Sequence, residues 1–243
     1  RNYTTWGSLD AGNRTIANIL KAAGYATCVA GKWQLGGGDN SIRSFGFDKY
    51  SVWLPFLLRP EELEGSRYKS AKIYQDNNYL PATATEGLYS EDICADYVKQ
   101  FIQDNKQHPF FIYYSMILSH KAFSPTPNDP EYAAWNADPN NSDAAFYPSM
   151  ISYMDKKIGE VVQKLENLGL LSNTAIIYAG DNGVRKEITS LFNYTPIQGG
   201  KGSTIEYGTH VPLIIQWPAK IAPGSVNNQL IDFPDFMPTL ANM

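Results

Sequence analysis

The stretch of sequence that decides the fold is TAIIYAGDNG, residues 174–183. A short apolar, β-branched run bounded by turn residues is typical of a buried strand in a parallel sheet. We therefore expect a strand from Thr174 to Ala179. In open α/β sheets, ligands bind in the crevice outside the carboxyl ends of the strands, and Asp181 and Asn182 fall at such an end.

Asp181 and Asn182 carry the oxygen ligands that hard cations prefer. A carboxylate and an amide carbonyl suit Ca²⁺ or Mg²⁺ better than a thiophilic metal. The alternative is that Asp-Asn-Gly is only a turn, since all three residue types favour turns. This stretch alone leaves both interpretations open.

The composition suits one α/β domain, or most of one. The chain has 243 residues, of which 43 % are hydrophobic and 18 % charged, enough for one domain with a sizeable core. The net charge of −4 leaves no basic excess for nucleic acid, and no apolar run is long enough to span a membrane. Cys28 and Cys94 are expected to be buried thiols, although a disulfide stays possible.

A second candidate segment follows the first predicted strand. Residues 15–24 have the apolar spacing, the capping Thr15 and the terminal glycine of a helix, and a strand is expected over residues 25–30. The strand ends in a glycine-rich turn that carries Lys32 and Gln34. A lysine here could meet an anion as a point charge, and the alternative is a solvated loop lysine.

A third candidate is His120. Residues 39–89 have poor periodicity and predict a long irregular insertion, with residues 61–73 charged and at the surface. Residues 90–105 predict an amphipathic helix capped by Ser90, and residues 109–116 predict a buried strand. His120 lies just beyond that strand, where a histidine can act as acid, base or ligand, or can be purely structural.

The last candidate is Lys201, in a second glycine-rich turn. Before it, residues 147–168 predict a long helix with one apolar stripe, and residues 183–198 predict a polar loop. After it, residues 211–218 predict a strand. Lys32, His120, Asp181, Asn182 and Lys201 together describe a site for a tetrahedral oxyanion ester, in which a cation and two lysines neutralise its charge.

These segments, in this order, resemble the sulfatases of the alkaline-phosphatase-like superfamily. The resemblance rests on Gly31-Lys32-Trp33-Gln34-Leu35-Gly36, Pro109-Phe110-Phe111 with His120, Gly180-Asp181-Asn182-Gly183, Gly200-Lys201-Gly202 with Glu206-Tyr207-Gly208, and Asp235 with Pro238-Thr239-Leu240. It implies a three-layer α/β/α sandwich with a mostly parallel central sheet, incomplete at both ends. Residues 1–243 would form a single but partial catalytic domain.

The resemblance also implies roles. Asp181 and Asn182 would bind a divalent cation, usually calcium, with magnesium as an alternative. Lys32 and Lys201 would hold the sulfate oxygens, and His120 would help to protonate the leaving alcohol. The family nucleophile is a formylglycine hydrate made from a Cys or Ser in a Cys/Ser-x-Pro/Ala-Ser-Arg motif, which forms a covalent sulfate ester.

The sequence departs from the family in two respects. The nucleophile motif and an adjacent pair of metal-binding aspartates are both absent, so we expect a fragment that is inactive alone, without the nucleophile segment and the C-terminal subdomain. Gln34 stands where the family usually has His, and Gln cannot take a proton at neutral pH. His210 is one candidate for that role; the alternative is a structural histidine.

Three functions follow from the resemblance. The first is metal-dependent hydrolysis of a sulfate ester, either a small molecule or a carbohydrate. The second is phosphodiesterase or phosphonate monoester hydrolase activity in the same superfamily. The third is a non-catalytic, sulfatase-like binding domain, which the loss of the usual His at Gln34 would suit. The family also suggests a periplasmic, secreted or lysosomal-type compartment.

Overall fold

A five-stranded sheet organises the first half of the protein. The computed structural model describes residues 9–10, 12–36, 40–53, 66–138 and 140–242. The sheet order is β4-β3-β2-β1-β5. Its strands are β1 (Ala26–Lys32), β2 (Lys49–Trp53), β3 (Ile73–Gln75), β4 (Asn78–Tyr79) and β5 (Phe110–Ser115). β1 is parallel to both β2 and β5, whereas β3 and β4 form an antiparallel edge.

Helices pack on both faces of this sheet. The helices of the described residues are α1 (Ile16–Ala22), α2 (Asn40–Ser44), α3 (Ala82–Thr85), α4 (Ser90–Asp104), α5 (Tyr147–Asn167), α6 (Glu206–Thr209) and α7 (Phe236–Ala241), of which α1, α2, α4 and α5 contribute to the buried clusters on β1. No helix among the described residues combines the length and the apolar character that crossing a bilayer requires.

Alternating residues of β1 pack into different clusters. Val29 joins Ala17 of α1 and Ile42 of α2 in one buried cluster. Ala30 joins Val98 of α4 and, with it, Leu165 of α5 in another. Because successive strand side chains point to opposite faces, the sheet lies between two helical layers. The predicted α/β/α architecture with parallel strands at its centre is confirmed.

Helix ends agree with the sequence prediction at one helix and differ at another. At α1, the Thr15 side chain accepts from the Asn18 amide while the Asn18 side chain accepts from the Thr15 amide, a capping box. Ser90 was expected to cap α4, but the N-cap residue is Tyr89 and Ser90 is buried within the first turn. The Ser90 amide donates to the Tyr68 carbonyl at 2.8 Å, and the Glu91 side chain accepts from the amides of Ile117 and Leu118.

The strand expected over residues 174–179 is shorter and pairs differently. β6 (Ile176–Ala179) is antiparallel to β9 (Leu213–Gln216) in a separate two-stranded sheet, and its residues are half-buried or exposed. The prediction of a buried strand in a parallel sheet is therefore wrong for the described residues. The apolar run reflects the packing of Ile176 against the α4–α5 cluster, and such a run does not identify the partner strand.

Two segments expected to be irregular contain regular structure. The range 39–89 holds α2, α3 and three strands, and its predicted charged surface at residues 61–73 is wrong for Tyr68 and Ile73, which are buried. Positions 37–39 and 54–65 lie outside the described residues. The predicted loop at 183–198 contains the hairpin of β7 (Thr189–Phe192) and β8 (Thr195–Gln198).

The two cysteines are buried free thiols, as expected. Cys28 lies in β1 and Cys94 in α4. Burial raises the pKa of both thiols, so neither is a reactive thiolate at neutral pH.

Gly31→Ala should destabilise the protein strongly. Gly31 has φ +94, and a Cβ there would lie 2.1 Å from the carbonyl oxygen of Ser115 on β5. Left-handed strain and a backbone clash together should cost about 3 kcal/mol or more, measurable by urea unfolding. Gly159→Ala in α5 is the matched control, since its Cβ would meet open space and an alanine should add about 0.5–1 kcal/mol. Equal stability of the two variants would contradict the expectation.

Candidate active site at the carboxyl ends of β1 and β5

Lys32 is the last residue of β1 and lies beside the end of β5. The strands are parallel, with Gly31 opposite Ser115. The Ser115 hydroxyl is 2.5 Å from the Lys32 carbonyl oxygen, to which it donates. Gln34, two residues on, is half-buried and has φ 52. A left-handed glutamine is uncommon, and such positions concentrate at functional sites.

A buried carboxylate holds the segment that carries His120. Glu91 of α4 is fully buried, and its Oε2 accepts from the amides of Ile117 (3.1 Å) and Leu118 (3.3 Å). The His120 amide in turn donates to the Ile117 carbonyl. Burial raises the pKa of Glu91 to about 7. The first turn of α4 therefore positions the segment after β5.

Two residues from the supposedly irregular insertion also hold His120. The hydroxyl of Tyr68 donates to the His120 carbonyl at 2.5 Å. The Nη1 of Arg67 lies 2.5 Å from His120 Nδ1, and its guanidinium carbon lies 4.9 Å from the centroid of the Trp53 ring. The sequence analysis did not find these two residues. Arg67 and Tyr68 precede His120 by 53 and 52 positions, and no local pattern connects residues so far apart.

The electrostatic environment keeps His120 neutral at neutral pH. Its pKa is lowered to about 4, first by burial. The positive charges of Arg67, Lys32 and Lys201 lower it further, while the hydrogen bond to the Lys121 carbonyl acts in the opposite direction. The two predicted lysines are therefore close enough to His120 to act on it, and Arg67 adds a third cation.

Asp181 and Asn182 form one polar group beyond β6. The Asn182 Nδ2 is 2.5 Å from Asp181 Oδ1. After burial, the Asp181 charge is the second cause of the raised pKa of Tyr113 on β5, so this group lies near the end of β5. A Cβ on Gly183 would lie 1.9 Å from the Tyr207 carbonyl oxygen, and this close contact brings the following turn against α6.

Backbone and side-chain contacts connect this group to the Lys201 turn and to the segment of His120. The Lys201 amide donates to the Val184 carbonyl at 2.9 Å. Glu187 accepts from both Lys121 (3.0 Å) and Arg185 (2.8 Å), and these hydrogen bonds lower the pKa of Glu187 to about 2. Charges and contacts thus bring together the three predicted segments around Lys32, His120 and Lys201, with Asp181 nearby.

The donor chemistry of Asp181 and Asn182 suits a hard cation in kind, but it supplies only part of a coordination sphere. Calcium takes six to eight oxygen ligands. Within the described ranges, no group of three or more His, Cys, Asp or Glu side chains is arranged to hold a metal. The two residues therefore fit as members of a cation site that needs further oxygen ligands.

His210 lies outside the contacts that join these segments. It follows α6, its side chain is exposed, and its Nδ1 lies 3.1 Å from Glu206 Oε1. No contact among the described residues connects it with Gln34. Its suggested role in place of the usual His therefore stays a prediction.

Comparison with known proteins identifies the family. The model of the family described as Sulfatase matches residues 2–243. The chain belongs to the sulfatase family. Its curated relatives include an arylsulfatase of Hemicentrotus pulcherrimus, 28 % identical over 94 % of this chain, and an N-acetylgalactosamine-6-O-sulfatase of Bacteroides thetaiotaomicron, 27 % identical over 88 %.

Solved structures support the fold. A crystal structure of Ps i-CgsB in complex with k-i-k-neocarrahexaose matches 98 % of the chain with a TM-score of 0.74 and 23 % identity. A structure of a protein in complex with its substrate D-glucosamine-2-N,6-O-disulfate matches 90 % with a TM-score of 0.62 and 19 % identity.

This sulfatase chain spans about half the length of its curated relatives. It covers 42 % of the Hemicentrotus arylsulfatase, 53 % of the Bacteroides sulfatase and 48 % of the arylsulfatase A of Bos taurus. The rest of each relative's length has no counterpart in the matched part of this chain.

Glu91→Gln should change how stability depends on pH. A carboxyl whose folded-state pKa is raised from 4.5 to about 7 binds more protons in the folded state, so its contribution to stability falls as pH rises between those values. Gln keeps an acceptor for the two amides and does not titrate. The free energy of unfolding of the variant minus that of wild type should therefore rise by up to about 3 kcal/mol between pH 4.5 and 7.5. Urea unfolding across that range measures it. A pH-independent difference would contradict this prediction.

Proposed function

We propose that the protein is a sulfuric ester hydrolase and that these residues supply the sulfate-binding and proton-transfer parts of its active site. The observation that carries the proposal is the convergence of Lys32, Lys201 and Arg67 on His120, whose pKa they help to lower. Concentrated positive charge in a partly desolvated site is what a sulfate ester requires. Membership of the sulfatase family supports the same reaction.

Lys32 and Lys201 bind the non-bridging oxygens of the ester. Each is a compact cation on a flexible stem, held at its base by backbone contacts to Ser115 and Val184. These contacts fix where the two stems begin, and both lysine charges act on the pKa of His120. Binding of the anion offsets their mutual repulsion and their effect on the imidazole.

His120 protonates the leaving alcohol. In the free protein the imidazole is neutral at neutral pH, because its pKa is about 4. A bound sulfate ester neutralises the surrounding cations and so favours the imidazolium. As the bond between sulfur and the bridging oxygen breaks, the imidazolium gives its proton to that oxygen, and the alcohol leaves uncharged.

Asp181 and Asn182 would hold a divalent cation, Ca²⁺ or Mg²⁺, through their oxygens. The cation would supply positive charge for the developing negative charge on the sulfate and the nucleophile. The nucleophile of this proposal is a formylglycine carried by a part of the protein other than these 243 residues, since its motif is absent from them. Residues 1–243 are then one part of the catalytic domain.

Gln34 follows Lys32 by two residues and carries an amide where the family usually has an imidazole. It can hold the nucleophile's hydroxyl by a hydrogen bond, while the proton goes elsewhere.

The likeness in fold extends to a lipoteichoic acid synthase of Listeria monocytogenes, with a TM-score of 0.55 and 17 % identity. Fold alone therefore does not separate sulfate from phosphate chemistry, and family membership favours sulfate.

His120→Asn should reduce hydrolysis most for esters with poor leaving groups. A sulfated sugar leaves as a basic alkoxide unless it is protonated, so loss of the acid should cost about 10²–10⁴-fold in kcat. For 4-nitrophenyl sulfate, whose leaving group is already acidic, the loss should be at least tenfold smaller. Steady-state kinetics of the complete protein, which includes the nucleophile, on both esters measure this difference.

The control is His108→Asn. His108 is exposed and precedes β5 at its amino end, so both rates should stay at the wild-type level. Equal losses on the two esters in His120→Asn would assign His120 a purely structural or binding role.

Asp181→Ala should abolish stabilisation by the cation. With Ca²⁺ at 100 times its Kd, wild type should gain about 2.7 kcal/mol of stability, seen as a higher Tm that EDTA reverses. Asp181→Ala should show no shift. Asp104→Ala, at the exposed end of α4, should respond like wild type. A calcium-dependent Tm in Asp181→Ala would remove this residue from the cation site.

A further inference from the structure

The turn that carries His120 is held at its amides by one buried side chain and at its carbonyls by another. The His120 amide donates to the Ile117 carbonyl at 3.1 Å, which closes the turn. Glu91 accepts from the amides of Ile117 and Leu118. The Tyr68 hydroxyl lies 2.5 Å from the His120 carbonyl oxygen and 3.3 Å from that of Ile117. Both ends of the turn are therefore connected to fully buried side chains.

Tyr68 is itself fixed at its backbone and at its ring. Its carbonyl accepts from the Ser90 amide at 2.8 Å, and its ring stacks on that of Tyr89 with a centroid distance of 5.3 Å. The next residue, Lys69, donates from Nζ to the Tyr132 carbonyl at 2.8 Å. Because its backbone, its ring and its neighbour are all held, the hydroxyl has little freedom to move away from the turn.

These contacts join three chain segments in a closed network. Ser90 connects α4 to Tyr68, the Tyr68 hydroxyl connects to His120, and Glu91, next to Ser90, connects back to Ile117. In such a network, displacement of one segment strains the hydrogen bonds of the other two. Burial raises the pKa of Tyr68, so its hydroxyl stays protonated and remains a donor throughout the neutral range.

We infer that Tyr68 is a positioning residue for proton transfer by His120. The inference rests on the proposed function, in which the imidazole protonates the leaving alcohol. Proton transfer requires the imidazole to lie within hydrogen-bond reach of the bridging oxygen, and a misplacement of about 1 Å can cost about 10²-fold in rate. Since the Tyr68 hydroxyl holds the backbone of His120, it acts on the reaction through His120 and not on the substrate.

Tyr68→Phe removes the hydroxyl and keeps the ring that stacks on Tyr89. In the complete protein, which includes the nucleophile, kcat on a sulfated sugar should fall about tenfold to 10²-fold, because the His120 carbonyl loses its donor and the imidazole moves. The loss on 4-nitrophenyl sulfate should be less than about threefold, since its acidic leaving group needs no proton. KM for both esters should change less than about threefold, because the sulfate-binding lysines are untouched. Steady-state kinetics measure all four values.

Tyr153→Phe is the matched control. Tyr153 is also buried, packs edge-on against Tyr89 at 5.3 Å, and donates its hydroxyl to Asp92 at 2.6 Å. The control removes one hydroxyl from the same buried cluster, so it should keep the wild-type kcat on both esters whatever it does to Tm. In a further variant, 4-aminophenylalanine at position 68 restores a donor for the carbonyl and should recover most of the lost rate, which separates the missing hydrogen bond from a folding defect.

The titration of His120 supplies a readout that does not need turnover. NMR of isotope-labelled histidine follows the imidazole, which is identified by the signal that His120→Asn removes. Its pKa, lowered to about 4 mainly by burial, should rise in Tyr68→Phe toward the usual value of about 6.5, because release of the turn lets water reach the ring. Tyr153→Phe should leave this pKa unchanged.

Two results would overturn the inference. One is a wild-type kcat on the sulfated sugar in Tyr68→Phe. The other is an equal loss in Tyr68→Phe and Tyr153→Phe, which would reduce Tyr68 to a general contribution to folding. Failure of the proposed function looks different, because wild type then hydrolyses neither ester. In that case the titration of His120 still decides whether Tyr68 positions the imidazole, and an unchanged pKa in Tyr68→Phe would show that it does not.

Discussion

The parallel pairing of β1 with β5 is the constraint on which the rest of the site depends. It brings the ends of two strands far apart in sequence to the same edge, with Gly31 opposite Ser115. The backbones approach so closely there that a side chain at Gly31 has no room. Because Lys32 follows at once and His120 lies five residues beyond Ser115, the register determines how near the cation and the imidazole can be.

Around this edge, the cations and the acidic side chains have different roles. Positive groups face the imidazole, whereas the acidic groups serve as supports. Glu91 accepts backbone amides beneath the segment of His120, and Glu187 joins Lys121 to Arg185 at the exposed side. The charges that lower the pKa of His120 are those of Arg67, Lys32 and Lys201. The result is an electropositive site whose supporting acids hydrogen-bond to the surrounding segments.

Features of the fold and the site could be predicted from the sequence where they depend on nearby residues, and not where they depend on contacts between residues far apart in the chain. The helices α1, α4 and α5 and the strands β1 and β5 follow from apolar spacing and turn residues, and so do the positions of Lys32 and His120 at strand ends. Glu91 looked like an ordinary acid in a first helical turn, because its partners are 26 and 27 residues away.

Two other features were beyond the sequence for physical reasons. The apolar run of β6 indicated that the strand packs against other residues, but it did not identify β9 as its antiparallel partner. The hairpin of β7 and β8 turns through Asn193 and Tyr194, both with positive φ, and a tyrosine there gives no glycine signal for such a turn. Arg67 and Tyr68 were similarly hidden, since only the folded chain brings them to His120.

The two buried cysteines can report how often the protein opens locally. Cys28 in β1 and Cys94 in α4 lie on the two sides of the interface between the sheet and the second helical layer, and Cys94 Sγ contacts the Ser51 carbonyl of β2. An alkylating reagent reaches them only when that interface separates. The labelling rate of each thiol therefore reports the free energy of opening this layer, separately from the exposed segments that carry Asp181 and Lys201.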